Sequence, residues 1–192
     1  MTLSRTSMLV TIASLTFAGA VVPTLAQMQM KEQTITVGGS PMYPSKNIIQ
    51  NAVNSKDHTT LVAAVKAAGL VETLQGPGPF TVFAPTNAAF AKLPPGTVDS
   101  LLKPEMKAKL TGVLTYHVVP GRLSAKELME AAKKNGGTAE FKTVEGETIS
   151  VESKGNMLMI RDVKGNASKV TIQNVFQSNG VIHVIDTVLL PS

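Results

Sequence analysis

The stretch Phe80-Thr81-Val82-Phe83-Ala84-Pro85-Thr86-Asn87-Ala88-Ala89-Phe90 decides the reading of the fold. Phe80, Val82 and Ala84 alternate with Thr81 and Phe83, the period of a strand, and Pro85, with no N–H to give to a ladder, ends it. Thr86 and Asn87 carry side-chain oxygens suited to the free N–H groups of a short helix whose apolar stripe is Ala88, Ala89, Phe90 and Leu93. Pro94-Pro95-Gly96 closes the unit. A buried strand turning directly into a capped helix is expected, and the rest of the chain must supply what buries it.

Upstream, Ile48, Ile49, Ala52 and Val53 lie at helical spacing, with Ser45 as the expected cap. Asp57 or Thr59 is expected to cap a second helix, with Leu61, Val62, Val65 and Ala68 turned inward and Gly69 as its left-handed C-terminal residue. Gly76-Pro77-Gly78-Pro79 is a rigid turn into the strand. Downstream, Pro104 suits the first position of a helix whose stripe is Met106, Leu110, Val113, Leu114 and His117. Tyr116-His117-Val118-Val119-Pro120-Gly121 reads as that helix running into a short strand and a turn. Ser124 and Glu127 form a capping box for a further helix that ends at Asn135-Gly136-Gly137.

Beyond Gly137 the period changes from helix to strand, with strands expected at 141–144, 148–153, 157–163, 170–176 and 181–190. In the last, Val181, His183 and Ile185 share one face and Ile182, Val184, Asp186 and Val188 the other. Apolar residues on both faces make it a central strand, covered on both sides. Helices first and a mainly antiparallel sheet afterwards give an α+β domain.

The 192 residues, 43% of them apolar, suffice for one well-buried core. Residues 1–26 read as a secretory signal peptide: Arg5 supplies the positive region, Met8 to Ala20 the apolar run, and Thr24-Leu25-Ala26 the small-residue end before Gln27. Ser14, Thr16, Gly19 and Pro23 interrupt the run, whereas a membrane span needs about 20 apolar residues. The expected plan is a leader at 1–26, a flexible linker at 27–44 carrying Gly38-Gly39-Ser40-Pro41, and one domain at 45–191. No integral membrane segment remains after cleavage, and the protein is expected to be exported, to the periplasm or outside the cell.

The chain has no cysteine, which excludes disulfides, thiolate metal sites and a cysteine nucleophile. Because Arg5 lies in the leader, the mature chain carries 17 basic and 13 acidic residues, a net charge of +4. Lys103, Lys107, Lys109, Lys126, Lys133 and Lys134 alternate with Glu105, Glu127 and Glu130 as on solvated helix faces, and with no tryptophan and two tyrosines there is little to stack on bases. Nucleic acid is therefore not an expected partner. His58, His117 and His183 are scattered, and Met28, Met30 and Met42 in the linker have no histidine beside them, so neither a metal nor a cofactor is expected. There is no Gly-x-Ser-x-Gly, His-Glu-x-x-His or phosphate loop, and Glu145 and Glu147 flank Gly146 in a predicted turn as solvated charge.

Three motifs in register, Thr81 to Phe90, Tyr116-His117, and Asn179-Gly180-Val181-Ile182-His183-Val184-Ile185-Asp186 through Pro191, resemble the fasciclin (FAS1) family. Their order and spacing fit one complete repeat over about 45–191. The resemblance implies a compact wedge of sheet and helices, used by exported proteins for adhesion or binding, with no enzymatic activity as a rule. It also implies a binding role near Tyr116-His117 and near an aspartate-isoleucine pair implicated in integrin binding in animal members. Here that pair is Asn174-Val175, so its carboxylate is missing.

Tyr116 and His117 are thus the binding candidates, although His117 also continues an apolar stripe and suits a buried imidazole bonded to backbone. Thr81, Phe83, Pro85, Thr86, Asn87, Phe90, Asn179, Gly180, His183 and Asp186 are motif residues expected to act structurally. The function expected is a non-enzymatic adhesion or binding module acting on a protein or polysaccharide of the cell surface or matrix. The alternative is a periplasmic carrier or sensor of a small apolar ligand, held between helices and sheet.

Overall fold

In the computed structural model, which describes residues 32–192, the chain is already folded well before residue 45. Strands β1 (Ile35–Val37) and β2 (Ser40–Met42) pair antiparallel across Gly38 and Gly39, which both take positive φ. Val37 and Met42 are buried, so this segment, expected to be a flexible linker, is anchored by two core side chains. The leader expected at 1–26, and Met28 and Met30, lie outside the described residues.

Helices α1 (Ile48–Ala52), α2 (Thr59–Ala68) and α3 (Val71–Gln75) follow. Gly69 caps α2 in the left-handed conformation at φ 75, as expected. The N-terminal caps differ from expectation. Asn47, with Gln50, forms the capping box of α1, while the Ser45 hydroxyl turns to Glu32 (2.9 Å). Neither Asp57 nor Thr59 caps α2; the cap comes from residue 87, described below.

Strand β3 (Phe80–Pro85) turns at Thr86 into α4 (Asn87–Ala91), and α5 (Thr97–Leu101), α6 (Lys107–Tyr116), β4 (Val118–Pro120) and α7 (Ala125–Lys134) follow. The Ser124–Glu127 capping box opens α7 as the spacing predicts. Then come β5 (Thr138–Lys142), β6 (Thr148–Lys154), β7 (Met157–Arg161), β8 (Ala167–Gln177) and β9 (Gly180–Ile185). The last strand stops at Ile185, short of 190: the Asp186 N–H still donates to the Lys169 carbonyl (3.1 Å), but the Asp186 carboxylate accepts the Lys169 N–H (2.9 Å) in place of a backbone carbonyl.

Seven strands form one sheet in the order β4-β3-β9-β8-β7-β6-β5. All pairs are antiparallel except β3 with β9, which run parallel with Phe80 opposite Gly180 and Pro85 opposite Ile185. The two strands that define the sequence motifs are thus neighbours in the interior of the sheet, second and third from its β4 edge. Their approach is tight: a Cβ at Gly180 would collide with the Phe80 carbonyl and one at Gly78 with the Asn179 carbonyl. The sheet also rolls, since the Val144 N–H, just past β5, donates to the Val118 carbonyl of β4 (2.8 Å).

The central strands separate two cores. Val82 and Ala84 of β3 and Ile182 and Val184 of β9 face a first core closed by α1, α2, α3 and α6. Phe83 and Ile185 face a second, inside the roll, filled by Ile149, Val151, Leu158 and Ile160 and closed by Leu128 of α7. All six residues of β9 are buried, as a strand covered on both sides must be. The architecture is α+β, with a mainly antiparallel sheet.

Candidate functional site

The chemistry-bearing side chains gather where α6 ends against β3 and β9. Tyr116, the last residue of α6, turns into the second core and is fully buried. Its hydroxyl donates to the Thr148 carbonyl (2.9 Å) and accepts the Val163 N–H (3.1 Å), so both functions of the phenol are used. Burial raises its pKa, against the opposing pull of the Val163 N–H.

His117 turns the other way and borders the first core, 3% exposed. Its Nδ1–H donates to the Val113 carbonyl (2.7 Å) and its Nε2 accepts the Leu189 N–H (3.0 Å). That pattern fixes the neutral tautomer. Burial holds its pKa down at about 4, outweighing the Val113 carbonyl and the charge of Asp162. The two candidates are thus adjacent in sequence, divergent in space, and turned away from solvent.

The motif residues occupy the joints of the fold. The Thr81 hydroxyl donates to the Gly121 carbonyl (2.7 Å) and accepts the Leu123 N–H (2.9 Å), clamping the turn after β4. Phe83 stacks on the His183 ring at 5.8 Å. His183 donates from Nε2 to the Leu123 carbonyl (2.9 Å), and burial lowers its pKa against that bond. Pro85 ends β3 opposite Ile185, Thr86 caps α4 by accepting the Ala89 N–H (3.2 Å), and Phe90 is buried. Asp186 is held on the Lys169 N–H and lies 3.5 Å from the Lys92 ammonium. Burial pushes its pKa up, but these partners and the Thr187 hydroxyl outweigh that and hold it below the usual value.

Asparagines do what the sequence did not reveal. Asn87 does not cap its own helix; its Oδ1 accepts the Thr60 N–H (3.0 Å) and its Nδ2 donates to the Lys56 carbonyl (2.9 Å), closing the start of α2. Asn179 accepts the Ile48 N–H of α1 (3.0 Å) and donates to the carbonyls of Leu74 and Gly76. Asn174, at φ 59 in an irregular stretch of β8, accepts the Ala125 N–H of α7 (2.7 Å). Each serves a helix at least 27 residues away, a distance at which local cap patterns carry no signal.

His58, read from the sequence only as one of three scattered histidines, is buried as well. It is 3% exposed, with Nδ1 2.8 Å from the Ser55 hydroxyl; burial lowers its pKa. It lines a cavity of about 50 Å³ between α1, α2 and the central strands, on whose wall His117 also stands. The Ser55-x-x-His58 spacing at a turn was the available clue. Among the described residues, no group of three or more His, Cys, Asp or Glu side chains is placed to hold a metal ion.

Comparison with known proteins accounts for this arrangement. The fasciclin domain profile matches residues 56–191. The chain belongs to the fasciclin domain family. Its relatives include Protein sll1483 of Synechocystis sp., 45% identical over 167 residues that cover 87% of this chain and 86% of that protein. The immunogenic protein MPB70 of Mycobacterium bovis is 39% identical over 145 residues, 73% of this chain and 66% of that protein. Among solved structures, a FAS1 domain pair from the insect cell adhesion molecule Fasciclin I matches with a TM-score of 0.69 at 18% identity, over 83% of this chain and 58% of that one. In this fasciclin domain the profile begins after α1, yet Val37, Met42 and Ile48 ahead of it are packed into the first core.

Proposed function

We propose that the protein is an exported, non-enzymatic adhesion or binding module that acts through its surface on a protein or polysaccharide of the cell surface or matrix. The observation that carries this reading is the burial of the fasciclin motifs. Tyr116, His117 and His183 are enclosed and bonded to backbone, which leaves recognition to side chains outside the motifs. The insect relative is by its description a cell adhesion molecule. Among the described residues no helix is long and apolar enough to cross a membrane.

One surface has the chemistry for recognition. The Arg122 guanidinium lies 5.0 Å from the centre of the Phe176 ring, which is 36% exposed, and Phe176 lines a groove of about 220 Å³ with Ile35 and Pro44. Next to Pro44, Tyr43 carries the Lys46 ammonium 4.7 Å above its ring. Aromatic and arginine side chains dominate binding energy at interfaces, and cation–π pairs hold them ready. The test is saturable binding of the purified protein to envelope fractions, matrix proteins or arrayed glycans. Phe176→Ala with Arg122→Ala should weaken binding at least tenfold with an unchanged melting temperature. Binding nowhere, or binding indifferent to this pair, would defeat the assignment.

A further inference from the structure

The first core contains a packing defect. Its cavity of about 50 Å³ touches the β1–β2 hairpin at Met42 and the α6–β4 junction at Val118, with Ile48, Leu61, Val65 and Ala84 between. This is about a third of the roughly 150 Å³ of an engineered apolar cavity that binds benzene, so an occupant longer than a few atoms must displace side chains of the wall. Its wall is apolar apart from the imidazoles of His58 and His117 and the stem of exposed Lys66.

The two imidazoles differ. Both His117 nitrogens are bonded. On His58, Nδ1 is engaged with Ser55, which is not part of the cavity wall, while Nε2 is buried without a hydrogen-bond partner among the described residues. The Ala84 carbonyl is close enough to the ring to oppose the lowering of its pKa, yet it makes no hydrogen bond to Nε2. A buried polar atom left unpaired is costly, and an occupant that supplies the missing bond recovers that cost. An ion would meet no buried counter-charge on this wall, so the occupant should be neutral.

We infer that this cavity binds a slender, uncharged amphiphile, an apolar chain carrying one hydroxyl, with His58 Nε2 as its polar anchor. The chain would lie between α2 and the central strands. Met42, an adaptable side chain, and exposed Lys66 are the wall residues able to move aside for it. The cavity shares Met42 and Val175 with the wall of the Phe176 groove, but its anchor, His58, lies outside that groove, so the His58 shift and the Phe176–Arg122 pair test the two sites independently.

Straight-chain alcohols from butanol to octanol are the probes, titrated into the purified protein while the imidazole 15N shifts are followed. Saturable binding should tighten about fourfold for each added methylene until the cavity is filled, and the His58 Nε2 shift should move with saturation. His58→Phe should weaken hexanol about tenfold, the loss of one hydrogen bond, and leave hexane unchanged. Ala52→Leu, which places bulk on the cavity wall, should abolish alcohol binding. The inference is overturned if no alcohol saturates, if the His58 Nε2 shift stays fixed in the wild-type protein on binding, or if a crystal grown with hexanol shows only water on that nitrogen. The shift measurement on the wild type decides even if the variants do not fold.

Discussion

Tyr116 and His117 are neighbours in sequence that enter two different cores, and the contrast between those cores explains much of the molecule. The second core, inside the rolled sheet, is sealed: Ile149, Val151, Leu158 and Ile160 have no exposure, and Tyr116 crosses it with both hydrogen-bonding functions met. The first, under the helices, is assembled from short helices and a two-strand hairpin and retains a cavity with an unpaired imidazole nitrogen on its wall. A sheet that curls back on itself can close around β-branched side chains, whereas short helices meeting at several angles leave gaps between their ridges.

The sharpest way to test that contrast is a matched pair of truncations. Ile160→Ala should cost about 4 kcal/mol and Leu61→Ala about 2 kcal/mol, because a side chain beside an existing void has fewer packing contacts to lose. Urea denaturation of both variants measures this; equal losses would mean that the two cores are packed alike.

Acid should come next in size. The His117 pKa lies at about 4, below the 6.5 of an exposed imidazole, so above pH 6.5 both folded and unfolded chains hold it neutral. Between pH 6.5 and 4 the unfolded chain takes up the proton and the folded one does not, and stability falls by about 3 kcal/mol over that window. Burial lowers the pKa of His58 and His183 too, so they add loss in the same direction. Urea midpoints from pH 7.5 to 4 should show the decline, and His117→Leu should flatten part of it at the cost of the Leu189 bond. A flat wild-type profile would show that the imidazoles are not enclosed.

The smallest effects should come from the long-range caps, one on each side of the sheet. Asn87→Ala should destabilise by about 1 kcal/mol through α2. Asn174→Ala should cost about 2 kcal/mol through α7, since alanine also resists the left-handed backbone at φ 59. Thermal melts resolve the difference; a silent Asn87→Ala would mean that Thr60 finds another acceptor.

Local chemistry was legible where it stays local. The Phe80–Pro85 strand, the Thr86 cap, the Ser124–Glu127 capping box and the left-handed Gly69 all depend on neighbours within a few residues, and alternation along 181–185 revealed a strand buried on both faces. Partners distant in sequence left no such trace. Asn47 and Ser45 are both plausible caps for α1, and only the position of Glu32 draws Ser45 away. The hairpin at 35–42 was hidden because three-residue strands around Gly38-Gly39 look like a linker until Val37 and Met42 find a core. His117 was legible as a candidate for burial from its stripe, whereas Tyr116 gave no sign that its hydroxyl would bridge Thr148 and Val163.

The parallel pairing of β3 with β9 also governs when the domain can fold. One partner ends at residue 85 and the other begins at residue 180, so this interior pair must wait for nearly the whole chain to be synthesised. Contacts of such long sequence separation are slow to form and raise contact order. Nascent chains cut short before residue 180 have no central strand to shield either core, and remain open to whatever machinery handles unfolded protein.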